Sequence, residues 1–443
     1  MTSKRRSRSR GALLAAVVVI LLGASAPTYA ATTAAPVANP HGKFLGVVGS
    51  QPNGSGTQSV RGARAVVARP RASASSQMTY HGGPVQHSSA VYAIFWTPPS
   101  YTFPSSYQPA ISQYFTDVAH DSYLPSNVYG VTSQYYDITA GVKKYASYNV
   151  AFKGIIVDTR ALPTSGCPKY VLGDSTTAKA CLTDAQIEKE IKAVIASHKL
   201  PKGIGNQYFL FTPQGIASCT KSNTLSSGGC YNPLQFYGFC AYHSHIASGA
   251  RAVLYANMPY SAVAGCQSGQ SPNGNAATDS VLNNVSHEHN DTITDPLGTG
   301  WYDSKGAEIA EGKCHLAFGS STGATASGQY NQVINGRGYW LQQLWSNRAN
   351  ACVQRNTFSQ PSVAFSFSPT APIHGKKVRF KSSVREAGET AFSYRWTFPG
   401  GGVSAAANPT RTFASAVFVG MVTLVVTDKQ GDQARFVRTI TVI

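Results

Sequence analysis

The segment Val285–Pro296 reads VSHEHNDTITDP. On a helix, His287 and Asp291 stand at i and i+4, on one face with Cβ atoms about 5–6 Å apart. Two donors at that spacing can grip one cation, and a carboxylate oxygen is an acceptable Zn²⁺ ligand. Glu288 takes the place that the general base holds in the His-Glu-x-x-His helix of zinc peptidases, where it draws a proton from metal-bound water. The fifth position here is Asp291 rather than histidine. Taken alone, the stretch also fits an ordinary solvated helix face.

A catalytic zinc site needs a third protein ligand and an open position. Downstream, GWYDSKGAEIAEGKCH supplies Glu308, Glu311 and His315. Glu308 is the expected third ligand, with His315 the alternative by spacing. Asp295, just past the helix, is expected either to support His287 from behind or to bond loop amides. CAYHSH places His243 and His245 at i and i+2, where a strand would deliver a ligand. With Cys240 beside them, a stapled loop with a packed His243 is the plainer account. His289, two residues from His287, points to another face. No Gly-x-Ser-x-Gly elbow occurs, which argues against a serine hydrolase, and no Cys-x-x-Cys pair supports a thiolate zinc site.

These side chains need a scaffold. AVYAIFWT, YNVAFKGIIVDT, NQYFLFTP and RAVLYANMPY are β-branched and aromatic runs of strand length. PSSYQPAISQYFTDVAHDS has helical spacing. LTDAQIEKEIKAVIASHK is a helix opened by the Thr183/Gln186 capping box, and TDSVLNNVSHEHNDTIT carries the candidate site. Strands alternating with helices predict a two- or three-layer α/β domain with a mixed sheet and an active-site helix, in the manner of zincins. The Gly/Ser/Cys-rich 215–250 reads as a disulfide-tied loop region. From about residue 360 the pattern changes to short alternating strands between turn residues, an all-β, Ig-like sandwich.

Residues 1–30 form a signal peptide: a basic start, an apolar run of about 14 residues and a small residue at Ala30. Residues 31–78 are rich in Ala, Pro, Gly, Ser and Arg and read as a disordered linker or pro-segment. The expected setting is extracellular, with no stable membrane insertion once the leader is cleaved. Export makes the eight cysteines disulfide partners. Many connectivities are open to them, of which neighbour pairing (167–181, 219–230, 240–266, 314–352) is one. The formal charge of +18 dissolves on division: residues 79–359 hold 17 basic and 15 acidic side chains, and the excess sits in the tails and the terminal module. No basic, aromatic-interleaved stripe marks a nucleic-acid face. Attraction to anionic wall polymers is a tamer use for such charge.

Two resemblances follow from quoted pieces. YRWTFPGG, NPTRTF and VTLVVTDKQG resemble the PKD repeat across 360–443, with both acids of the usual first turn replaced (Thr397, Pro399). Such modules act as accessory spacers or adhesion units of secreted hydrolases. Within 79–357, GGPV, VYAIFW, FCAYHS, ANMPY, HEHNDTITDP, GWYDSKGAEIAEGKC and LQQLWSNRANAC resemble the EXORDIUM-like, phosphate-induced secreted family and its bacterial metallopeptidase-like branch. That family's His-Glu-x-x-Glu implies that the carboxylate at Asp291 is a family feature. It matches Asp295, Pro296, Glu308 and Cys314, while Glu311 replaces a family Asp.

The expectation is therefore a secreted, disulfide-bonded metallohydrolase, a peptidase acting on protein or peptide. His287, Asp291 and Glu308 would hold Zn²⁺, with Ca²⁺ or Mn²⁺ as carboxylate-favouring alternatives, and Glu288 would be the base. The contrasting expectation is a non-enzymatic extracellular or wall-associated interaction protein with PKD-mediated adhesion. The two differ in bound metal and in chelator-sensitive hydrolysis.

Overall fold

Apolar runs too hydrophobic for a half-exposed strand must be covered on both faces, and here they build a central mixed sheet. The computed structural model describes residues 38–49, 77–167, 178–221, 229–233, 238–386, 388–414 and 417–443. Six strands pair: β1 Leu45–Gly49, β2 Ser89–Trp96, β3 Val150–Asp158, β4 Asn206–Thr212, β5 Phe239–Ile246 and β6 Val253–Pro259. Their order is β1-β5-β6-β4-β2-β3. β3, β2, β4 and β6 run parallel, whereas β5 and β1 are antiparallel additions at one edge.

Three α-helices occur among the described residues: α1 Tyr107–His120, α2 Asp184–His198 and α3 Ala276–Thr294. α2 starts at the Thr183/Gln186 capping box, both of whose reciprocal bonds are present. Side-chain alternation along β5 assigns the layers. The Tyr242 hydroxyl, like that of Tyr255 on β6, donates to Asp184 at the start of α2. The next residue, His243, meets Glu288 of α3. α2 and α3 thus cover opposite faces. α1 packs beside α3 and covers β3, with Phe115 against Phe152 and Phe209.

Two expectations are corrected. Residues 31–78 were expected to lack structure, yet 38–49 are ordered and Leu45–Gly49 forms an edge strand of the sheet. The run FLGVV is too short to announce itself, and its hydrogen bonds come from a strand almost 200 residues away. The expected signal peptide and residues 50–76 lie outside the described residues. The region 215–250 contains β5, whose His243, Ser244 and His245 break the apolar run that would identify a buried strand.

All eight cysteines are bridged, Cys167–Cys181, Cys219–Cys230, Cys240–Cys266 and Cys314–Cys352. Each bridge joins sequence neighbours. The first two flank a small sheet of Ala180–Thr183, Ile216–Cys219 and Cys230–Tyr231. Further along the chain come β7 Ser362–Ser368, β8 Lys377–Arg385, β9 Ser393–Phe398, β10 Gly402–Ser404, β11 Thr410–Thr412, β12 Phe418–Thr427 and β13 Gln433–Val442. They form antiparallel sheets β7-β8-β11 and β10-β9-β12-β13. Phe365, Phe380, Trp396, Leu424 and Ile440 fill a separate core between them. Strand content thus dominates the described chain. No helix among the described residues is long and apolar enough to cross a membrane.

Candidate metal centre

α3 is a polar helix in a buried place, so each polar side chain needs a partner. Its N-cap Asn275 accepts from the Thr278 amide at 3.0 Å. Gln207 donates to Thr292 at 2.8 Å, and Asn283 accepts from the Gln342 amide at 2.7 Å. His289 sits between the Ser89 and Tyr129 hydroxyls, at 2.9 and 3.2 Å. Burial pulls its pKa down to about 3. It is a satisfied core histidine on the face away from His287.

The other face differs. His287 Nε2 lies 3.2 Å from Asp291 Oδ2, one helical turn on. Asp291 Oδ1 accepts from the Ala310 amide at 2.8 Å, which ties the helix to the loop bearing Glu308. Glu288 Oε2 lies 3.1 Å from His243 Nδ1, and His243 Nε2 lies 3.6 Å from Glu308 Oε2. At the helix C-terminus, Asp295 Oδ1 accepts from the Thr299 and Gly300 amides, both at 2.6 Å, shaping the turn into that loop. The Asp295 carboxyl is near enough to Glu308 for its charge to push Glu308 upward. Glu311 accepts from the Glu308 amide at 3.2 Å.

These groups are withdrawn from solvent, with His243 and His287 each 1% exposed and Glu288, Asp291, Asp295 and Glu308 fully buried. Yet His243 Nε2, both His287 nitrogens, Glu288 Oε1, Asp291 Oδ2, Asp295 Oδ2 and both Glu308 oxygens lack a hydrogen-bond partner. An unpartnered buried charge costs several kcal/mol, and four neighbouring carboxyls here compound it. Burial, followed by the charge of Asp291, pushes Glu288 well above the usual carboxylate range. Burial, followed by Asp295 and Asp291, does the same to Glu308. Glu311 is pushed up to about 7 by burial and then Asp291, and Asp295 to about 6 by burial. His243 falls to about 3 through burial and then the neighbouring His287. A cation is the species that would relieve every one of these costs, and the mixed imidazole and carboxylate donors fit one.

The expected ligands are thus brought to one place but not into one closed triad. His287 meets Asp291, whereas Glu308 meets His243. Among the described residues, donor atoms of three such groups lie within 4.8 Å of one another only at Cys167, Cys181 and Cys219, and those sulfurs are in disulfides. His315 lies at the rim, half-buried against Gly49. The expectation of a stapled loop with a packed His243 gives way to a place on β5 facing Glu288. Reading CAYHSH as a strand would have put residue 243 on the α3 side of the sheet.

A three-layer α/β core with a buried histidine and carboxylate cluster on one helix, cross-linked by disulfides, is the class of protein defined so far. Residues 78–355 match the phosphate-induced protein 1 conserved region, and the chain belongs to that family. EXORDIUM-like 3 of Arabidopsis thaliana is 24% identical over 197 residues, 40% of this chain and 58% of that protein. The match therefore spans less than two thirds of that relative's length. Among solved structures, the PKD1 domain of Vibrio cholerae metalloprotease PrtV is 29% identical, covering 19% of this chain and 96% of that one, with a TM-score of 0.17. A carbohydrate-binding module of the β-sandwich superfamily is 31% identical over 19% of this chain and 34% of that one, also at 0.17. Similarity at that level carries no argument. All the cluster residues fall inside the matched region, while β1 and the sandwich fall outside it.

Proposed function

We propose that the cluster is a cation-dependent hydrolytic centre and that the protein is a secreted metallohydrolase acting on peptides. The observation that carries this reading is a buried group of neighbouring side chains, His243, His287, Glu288, Asp291, Asp295 and Glu308, in which eight donor atoms make no hydrogen bond and four of those eight face one another as two histidine–carboxylate pairs. His287, Asp291, Glu308 and His243 would hold the ion. Zn²⁺ suits the imidazoles, and the carboxylate excess leaves Ca²⁺ and Mn²⁺ as competitors. When bound, such an ion polarises a carbonyl and acidifies water. Glu288, adjacent to His287 yet with Oε1 free, takes a proton from the attacking water and passes it to the leaving amine nitrogen, so that water is added across the amide bond. Asp295 orders the Glu308 loop through two backbone amides. The α/β core with its active-site helix is read as zincin-like, and the β7–β13 sandwich as a PKD-type module that holds the enzyme near wall polymers. The disulfides suit an extracellular setting.

Complete burial of the cluster favours a second reading, a structural cation node in a non-enzymatic adhesion protein. Metal analysis of purified full-length protein, combined with peptide hydrolysis before and after chelation, separates the two. Hydrolysis is expected to be chelator-sensitive and to fall by ~10²–10⁴-fold in Glu288→Gln with metal retained. Bound metal with no chelator-sensitive hydrolysis, in wild type and equally in a Gly46→Val variant that lifts Leu45–Gly49 off His243 and Glu288, would establish the node reading, and absence of both metal and hydrolysis would remove the site.

A further inference from the structure

β1 comes from outside the family-matched region and lies directly over the cluster. It pairs antiparallel with β5, Leu45 opposite His243 and Gly49 opposite Phe239, with an irregularity between Leu45 and Val48. Gly46 sits in that irregularity at φ +53°, where a Cβ would lie 2.4 Å from His243 Nδ1 and 3.0 Å from Glu288 Oε2. No side chain fits there, so backbone alone presses on the two residues. The rest of the segment touches the site from end to end. Asn39 Nδ2 donates to the Gly306 carbonyl at 3.0 Å, His41 Nδ1 lies 3.8 Å from Glu311, and Gly49 lies against the His315 ring. Lys43 pins the strap through ion pairs to Asp184 and Glu188, and Phe44 stacks edge-on against Tyr242 at 5.3 Å.

Without β1, β5 is the exposed edge of the sheet, and an exposed edge receives an extended polypeptide by main-chain pairing. We propose that β1 is an intramolecular occupant of the substrate strand position. The substrate is an extended peptide that pairs antiparallel with β5 and carries glycine over His243 and Glu288. Residues 38–49 close the site until they leave it. The proposal rests on the hydrolytic reading for the word substrate, but the pairing geometry stands without it.

The test uses the full-length chain. Gly46→Val places a branched side chain against the His243 ring at a positive φ and displaces β1. Lys43→Glu loosens the same strap from a rim ion pair and serves if the first variant fails to fold. In wild type, hydrogen exchange is expected to show Leu45–Gly49 protected, and a labelled peptide of sequence ANPHGKFLGVVG (residues 38–49) is expected not to bind. In the displaced variants that protection falls, the peptide binds, and hydrolysis of a glycine-containing extended peptide rises by ~10-fold or more. Rapid exchange of Leu45–Gly49 in wild type, or displaced variants that bind no peptide, would overturn the proposal. Peptide binding without hydrolysis supports the strand position while defeating the hydrolase reading. Equal hydrolysis by wild type and displaced variants defeats the closure while leaving the hydrolase intact.

Discussion

At the scale of single residues, His243 joins two parts of the site. It is the one imidazole that contacts both Glu288 and Glu308, so it links the helix to the downstream loop across the end of β5. His243→Ala is expected to lower zinc affinity by at least ~10-fold, the range seen even for residues that only support a ligand. Competition against a chromogenic chelator measures it. His289→Asn, on the opposite face, is expected to leave metal affinity unchanged and to lower stability alone. Equal losses in both variants would mean that His243 acts only through packing.

At the scale of elements, α2 carries a titration remote from the histidine and carboxylate cluster. Glu190 is pushed up to about 7, chiefly by burial and then by the Asp158 carboxyl, although Arg160 donates to it at 2.8 Å. The folded value lies above the ordinary 4.5. Stability from protonated Glu190 is therefore full below that ordinary value and is lost as pH rises through about 7. The urea midpoint of wild type is expected to fall across this window, and that of Glu190→Gln to fall less. The helix itself was legible beforehand, since the Thr183/Gln186 box and the Ile187, Ile191, Val194 and Ile195 stripe are local signals. β5 was not legible, because His243 is matched to Glu288 on α3 and Ser244 to the Lys43 carbonyl just before β1, partners that a local pattern does not contain.

At the scale of the molecule, the sandwich is held to the α/β core by a buried turn. Asp428 Oδ1 accepts from the Gln430 and Asp432 amides at 2.8 Å each and shapes that turn. Asp432, fully buried, then meets Arg348 Nη1 at 2.5 Å and Asn356 Nδ2 at 2.6 Å. Arg395 reaches the Tyr123 hydroxyl, and Arg435 the His120 carbonyl, at 2.6 Å each. Asp432→Ala removes the carboxylate of the Arg348 guanidinium and the shorter of two hydrogen bonds from Asn356 Nδ2, and is expected to cost about 1–3 kcal/mol. Calorimetry is expected to split one unfolding transition into two. A single unshifted transition would show that the turn does not couple the modules.

Sequence alone determined what short-range physics controls. His287 and Asp291 share a face because a helix repeats every 3.6 residues, and the strands of the sheet centre announce themselves as continuous apolar runs. The cysteine pairing was not among these: neighbour bridges were one connectivity of many, and the fold forms that one. Tertiary structure decided which donors are buried together, that His243 rather than His287 meets Glu308, and that a segment expected to be loose lies over them as β1. Those outcomes depend on contacts between residues tens to hundreds of positions apart. Their free energy comes from burial and strand pairing that no local window of sequence contains.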